Sequence, residues 1–125
     1  MAPVSVRYIV DDVGAAIDFY TGHLGFGVDL HPAPGFAMLS RQDLRLLLNA
    51  PGAGGGGWRT EGAEPRPGGW NRFQVEVDDL DGTIAALRAA SVPVRTGVIE
   101  GSGGRQAVID DPAGNPIELF EPGRR

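Results

Sequence analysis

Residues 5–13 read Ser5-Val6-Arg7-Tyr8-Ile9-Val10-Asp11-Asp12-Val13, and residues 72–80 read Arg72-Phe73-Gln74-Val75-Glu76-Val77-Asp78-Asp79-Leu80. One pattern runs through both, at a constant offset of 67 residues. Each stretch opens with β-favouring residues in alternation, which predicts a strand. Each then reaches Asp-Asp, a pair of acceptors suited to the free N–H groups of a helix N-terminus. Apolar residues follow at Val13, Ile17, Tyr20 and Leu24 in the first half, and at Leu80, Ile84 and Leu87 in the second. Those spacings of three and four put them on one helical face. Gly25 ends the first helix, and Ser91 with Pro93 ends the second.

After each helix only strand signals remain. They cover residues 27–30, 36–39 and 44–48 in the first half, and 94–99, 105–109 and 117–120 in the second. The turn Asp111-Pro112-Ala113-Gly114-Asn115 punctuates the last hairpin. Each half therefore reads β-α-β-β-β, and the fold class is α+β with two tandem βαβββ modules, 1–50 and 70–125, within one structural domain. Leu46-Leu47-Leu48 is apolar without alternation, as expected of a sheet covered on both faces. One face takes the helix; the other is where function should sit. Residues 51–69 hold 8 Gly and 3 Pro, a density at which no regular element survives, so they form a connector.

Composition narrows the partners. A chain of 125 residues with 42% hydrophobic and 22% charged residues is an ordinary globular domain, which excludes a disordered tail, a collagen repeat or a coiled coil. No apolar run approaches the roughly 20 residues of a membrane helix, and Met1 to Arg7 does not read as a signal peptide. With no Cys, thiolate catalysis and Cys-bound metals are excluded, and a cytoplasmic location is expected. All 11 basic residues are Arg, so there is no Schiff-base or phosphate-loop lysine. A net charge of −5 without a basic stripe argues against nucleic acid as a partner.

The motif Asp-Val-x-x-Ala-x-x-Phe-Tyr-x-x-x-Leu-Gly-Phe, from Asp12 to Phe26, and the closing Asp111-Pro112-Ala113-Gly114-Asn115-Pro116-Ile117-Glu118-Leu119 resemble the vicinal oxygen chelate superfamily. That group contains glyoxalase I, bleomycin-resistance proteins, fosfomycin-resistance enzymes and extradiol dioxygenases. The resemblance implies curved mixed sheets around a concave crevice, with the helices outside. It also implies where a divalent metal would sit: ligands come from the first and last strands of each module. Carried over, those four positions fall on Ser5, Leu46, Arg72 and Glu118. One carboxylate remains there, and a permanent cation stands at another position. Arg cannot deprotonate to bind metal. The two histidines, His23 and His31, lack metal-site spacing, so no metal and no other cofactor are expected. Since the family places the first and last strands side by side, Arg72 is expected to neutralise Glu118.

Serine nucleophile elbows are absent, and Gly101-Ser102-Gly103-Gly104 reads as a hairpin loop. Trp58 and Trp70 flank the connector; each either staples the loop or covers a planar ligand. Resemblance to the metal-free bleomycin-resistance branch implies a homodimer that sequesters a hydrophobic, aromatic small molecule such as an antibiotic. His31, Phe36, Met38, Leu46, Leu48, Trp58, Trp70, Arg72, Gln74 and Glu118 are the candidate ligand-binding residues, with no catalytic residue among them. The rival reading is a metal-independent isomerase or lyase with Glu118 as general base. A metal-dependent glyoxalase or dioxygenase comes third, because Ser5 and Arg72 count against it.

Overall fold

Both helices begin where the two Asp-Asp pairs are. The Asp12 Oδ1 atom accepts the Ala15 N–H at 3.0 Å, and the Asp79 Oδ1 atom accepts the Gly82 N–H at 3.0 Å. Each carboxylate thereby satisfies one of the orphan donors of a helix start. These caps belong to a computed structural model that describes residues 3–123; Met1, Ala2, Arg124 and Arg125, at the outer ends of the expected modules, lie outside the described residues. The chain forms two compact units, Met1–Gly68 and Gly69–Arg125, so residues 51–68 of the connector go with the first.

In the first unit the elements are β1 (Val4–Ile9), α1 (Val13–His23), β2 (Gly27–Ala33), β3 (Phe36–Arg41) and β4 (Leu44–Asn49). The sheet runs β1-β4-β3-β2, with β1 parallel to β4 and the other pairs antiparallel. Register sets Val6, Leu46 and Leu39 in one row and Tyr8, Leu48 and Ala37 in the next. Ala37, Leu39, Leu46 and Leu48 are wholly buried, and α1 contributes Val13, Ala16, Phe19 and Tyr20 to the same core. The alternate residues Arg7, Leu47 and Met38 form a row on the other face.

The second unit repeats the plan: β5 (Gln74–Glu76), α2 (Leu80–Ala89), β6 (Val94–Glu100), β7 (Gly104–Asp110) and β8 (Pro116–Pro122), in the order β5-β8-β7-β6 with β5 parallel to β8. The buried row is Val75, Leu119 and Ala107, and α2 adds Leu80, Ile84 and Leu87. Glu121 Oε1 accepts the Leu80 N–H at 2.9 Å, fastening the helix start to the last strand. At the other end Ser91 takes φ 63°, and Val92 N–H reaches Leu87 O at 2.9 Å. That bond and the left-handed residue close the helix in the manner usually left to glycine. The tandem βαβββ reading therefore holds, as two four-stranded mixed sheets, neither of them closed. No described helix is long and apolar enough to cross a membrane.

Residues 51–69 have no helix or strand; they carry turns and an isolated bridge between Thr60 and Ala63. Their first part is nonetheless firmly packed. Gly57 N–H donates to Ala53 O at 3.0 Å, and Gly52 N–H donates to Gly57 O at 2.6 Å. Buried Asn49 holds this turn from inside, donating from Nδ2 to Ala53 O at 3.1 Å and accepting Arg7 Nη1 on Oδ1 at 3.1 Å. A Cβ on Gly57 would run into Ala50 O and come within 2.7 Å of Ala53 O, whereas one on Gly55 would meet nothing within 4 Å. Gly57→Ala is therefore expected to lower unfolding free energy by about 1–3 kcal/mol through overpacking against backbone. Gly55→Ala should leave it nearly unchanged. Urea denaturation of the two variants checks this, and equal midpoints would mean the connector is not packed as described.

Candidate functional site

The last hairpin positions the one acidic residue retained at the family's metal positions. Asp111, 2% exposed, accepts the N–H groups of Ala113 and Asn115 on Oδ1 at 2.9 Å each. Asn115 Nδ2 donates to its Oδ2 at 3.1 Å. A buried carboxylate is tolerable only with such partners, and here they close the turn into β8. Glu118 then stands on β8 opposite Gln74 of β5 and Val108 of β7, on the face away from the Val75–Leu119–Ala107 core.

The Arg72 Nε atom donates to Glu118 Oε1 at 3.0 Å, and Nη2 approaches the same oxygen at 2.8 Å. Gln74 Nε2 donates to Glu118 Oε2 at 2.6 Å, so both carboxylate oxygens are engaged. Arg72 Nη1 also donates to Trp70 O at 3.2 Å, tying the chain just before β5 to the same cluster. The side chains of Arg72 and Glu118 are 27% and 14% exposed, so the pair is partly shielded and stronger than a surface ion pair. The pairing anticipated from sequence is present.

Trp70 itself is 62% exposed, with the Arg95 guanidinium 4.5 Å from its ring centroid. Trp58 is 68% exposed, and among the described residues no cation lies over its indole. Arg95 carries no distinguishing mark in the sequence. It lies where the β6–β7 register shifts, between the pairs Val94–Ile109 and Thr96–Val108. Its Nε donates to Asp110 Oδ1 at 2.9 Å, and Nη2 donates to Gly114 O at 3.0 Å. Periodicity gives no sign of a bulge, so only the folded register reveals this residue.

In the first unit the expected lining residues divide. Phe36 and Met38 are half-buried on the face opposite the helix-side core, and His31 is exposed on β2. Leu46 and Leu48 are not on that face. They are wholly buried in the core with Leu39 and Ala37, which corrects the expectation that they line a crevice. The triple leucine hides the alternation, and the residue of the run that shares a face with Met38 is Leu47.

The same register tests the metal positions. Ser5 faces Arg45, and the place that Glu118 holds beside Gln74 is taken in the first unit by Leu47 beside Arg7. A hydroxyl, a leucine, a guanidinium and a carboxylate already engaged by two donors do not fit a divalent cation. Among the described residues no group of three His, Asp or Glu side chains is placed to hold one.

A family model described as the Glyoxalase/Bleomycin resistance protein/Dioxygenase superfamily matches residues 3–119. Three solved structures are among those similar to the chain. A lactoylglutathione lyase from Agrobacterium tumefaciens is 26% identical, with TM-score 0.72, over 96% of this chain and 92% of that one. TnmS3, an antibiotic binding protein from Streptomyces sp. CB03234, is also 26% identical, with TM-score 0.74, over 98% of this chain and 97% of that one. A superfamily member from Sphaerobacter thermophilus is 25% identical, with TM-score 0.76, over 97% of each chain. No curated protein sequence matches the chain.

Glu118→Gln removes the charge that Arg72 and Gln74 enclose. It should cost about 1–2 kcal/mol of stability, a charge-assisted hydrogen-bond value reduced for partial exposure. Elemental analysis should find no stoichiometric Zn, Fe, Mn or Ni before or after the change. One equivalent of metal in the parent protein, released by Glu118→Gln, would overturn the assignment of Glu118 to Arg72.

Proposed function

The chain belongs to the Glyoxalase/Bleomycin resistance protein/Dioxygenase superfamily, and on that premise we propose that it is a metal-free binding protein which sequesters a hydrophobic, aromatic small molecule without making or breaking a bond. The observation that carries this reading is the closure of Glu118 by Arg72 and Gln74. The carboxylate at a family metal position is committed to structure. The superfamily holds binders as well as enzymes, and the similarity to an antibiotic binding protein supports an antibiotic as the ligand class. Exposed Trp70, its carbonyl oxygen held by Arg72 and its ring against the Arg95 guanidinium, offers a flat apolar surface beside polar groups, a combination suited to orienting a planar ligand.

An equal identity to a lactoylglutathione lyase favours a second reading, an isomerase or lyase with Glu118 as general base. Arg72 and Gln74 occupy the oxygens that such a base would offer its substrate. Native mass spectrometry of protein purified from its own host separates the two readings. A retained molecule of unchanged mass after prolonged incubation supports sequestration. Turnover that disappears in Glu118→Gln with affinity intact supports the enzyme.

Trp70→Ala should weaken binding of that retained molecule about 5- to 150-fold, taking stacking as ~1–3 kcal/mol per ring. Titration calorimetry measures this, and unchanged affinity would remove Trp70 from the site.

The reading includes a homodimer. Edge strand β2 is exposed along its whole length, and Val28 and Leu30 on it are 48% and 52% exposed. A second copy covering them would remove an apolar edge from water. Light scattering should then give about 26 kDa, twice the 13.1 kDa chain, and a monomer at micromolar concentration would exclude it.

A further inference from the structure

Trp70 and Trp58 are alike in exposure, yet among the described residues a guanidinium lies over the ring of Trp70 and none over that of Trp58. That guanidinium is itself anchored. Arg95 donates from Nε to Asp110 Oδ1 at 2.9 Å, from Nη2 to Gly114 O at 3.0 Å and from Nη1 to Gly69 O. The first anchor is on β7, the second in the turn leading into β8, and the third on the residue immediately before Trp70. A cation tied at three points cannot follow a swinging indole, so the indole must settle on the cation. One face of the ring is then occupied, and the other remains for a ligand.

The backbone of Trp70 is held independently, by Arg72 Nη1 on its carbonyl oxygen at 3.2 Å. The side chain and main chain of one exposed aromatic are thus fixed by two different arginines. Exposed surface tryptophans gain little from such bracing unless a rigid ring is useful, because a fixed ring loses less entropy when a ligand stacks on it. Charge supplies the ligand class. Arg95 is paired with Asp110, and Arg72 with Glu118, so each of the two guanidiniums that hold Trp70 is already neutralised by a carboxylate. An anionic ligand would have to compete with those carboxylates for the two cations while shedding its own hydration.

We propose that Arg95 is a positioning residue that makes Trp70 a one-faced, rigid stacking platform for an uncharged planar aromatic ligand. This rests on the sequestration reading only for its ligand. The bracing of the ring stands or falls in the free protein.

The test uses the full chain with Trp58→Phe, so that Trp70 is the sole tryptophan and is excited selectively at the red edge of the indole band, and compares Arg95 with Arg95→Met and Arg95→Lys. The Lys variant keeps a charge opposite Asp110, and with it the fold, but loses the planar guanidinium and its fork of donors. Without ligand, both variants should show lower fluorescence anisotropy of Trp70 and greater quenching by acrylamide than the parent, at a melting temperature that Arg95→Lys leaves close to it. Parent-like anisotropy and quenching in the folded Lys variant would overturn the bracing, and if Arg95→Met fails to fold the Lys variant decides alone.

Acridone, a flat uncharged tricycle, is the binding probe, and 9-anthracenecarboxylate is its charged counterpart of similar size. Acridone should bind about 2- to 5-fold more weakly when the cation–π contact is lost. The carboxylate should bind the parent more weakly than acridone does. Equal or tighter binding of the carboxylate would overturn the uncharged class. If neither probe binds the parent while the spectroscopic differences persist, the sequestration reading fails and the bracing of Trp70 stands.

Discussion

The ion pair between Arg72 and Glu118 sets what this fold can do here. In a superfamily whose enzymes use acidic and imidazole groups to hold a metal, the surviving carboxylate accepts from a guanidinium on one oxygen and from an amide on the other. Burying a lone carboxylate costs more than burying a paired and hydrogen-bonded one, so the pair makes a polar spot tolerable on a largely apolar sheet. It also removes the donor capacity that a cation would need. A metal ligand or a general base at this position would first have to displace Arg72 or Gln74.

The two modules share a plan but not their chemistry. Matching positions carry Gln74 and Glu118 in one and Arg7 and Leu47 in the other. The register shift that sets Arg95 beside Asp110 has its counterpart between Val28 and Leu30, where the intervening residue is Asp29. A common backbone irregularity thus presents opposite charges in the two halves. The duplicated architecture is set by backbone geometry and core burial, which both halves satisfy with different side chains on the outward face.

Glycine plays two roles in the connector. Gly54 takes φ 59°, in the left-handed region that costs least for glycine, and serves the turn. Gly57 is required by proximity, since backbone carbonyls occupy the space that a side chain would fill. Asn49 joins that turn to β1 through Arg7, so a segment that composition marks as irregular is in part an ordered cover on the first module.

The strands, both helices, their caps and the βαβββ repeat were legible in the sequence because they follow from local periods of two and about 3.6 residues and from short-range capping chemistry. The Arg72–Glu118 pair was legible too, once the resemblance placed the first and last strands of a module side by side. Three features were not. Leu46 and Leu48 read as crevice residues because an unbroken leucine run carries no phase. A sheet shifts every side chain to the other face for a one-residue change in register, and register is fixed by partners distant in the chain. Arg95 was invisible because a bulge is a property of the pairing of two strands and not of either one. The difference between Trp58, within the glycine-rich connector, and Trp70, directly after it, was invisible because it is the fold that brings the Arg95 guanidinium over the Trp70 ring. What the sequence determined by itself was local backbone geometry. What the tertiary structure decided was which face and which neighbour each side chain received, because those depend on hydrogen bonds made across tens of residues.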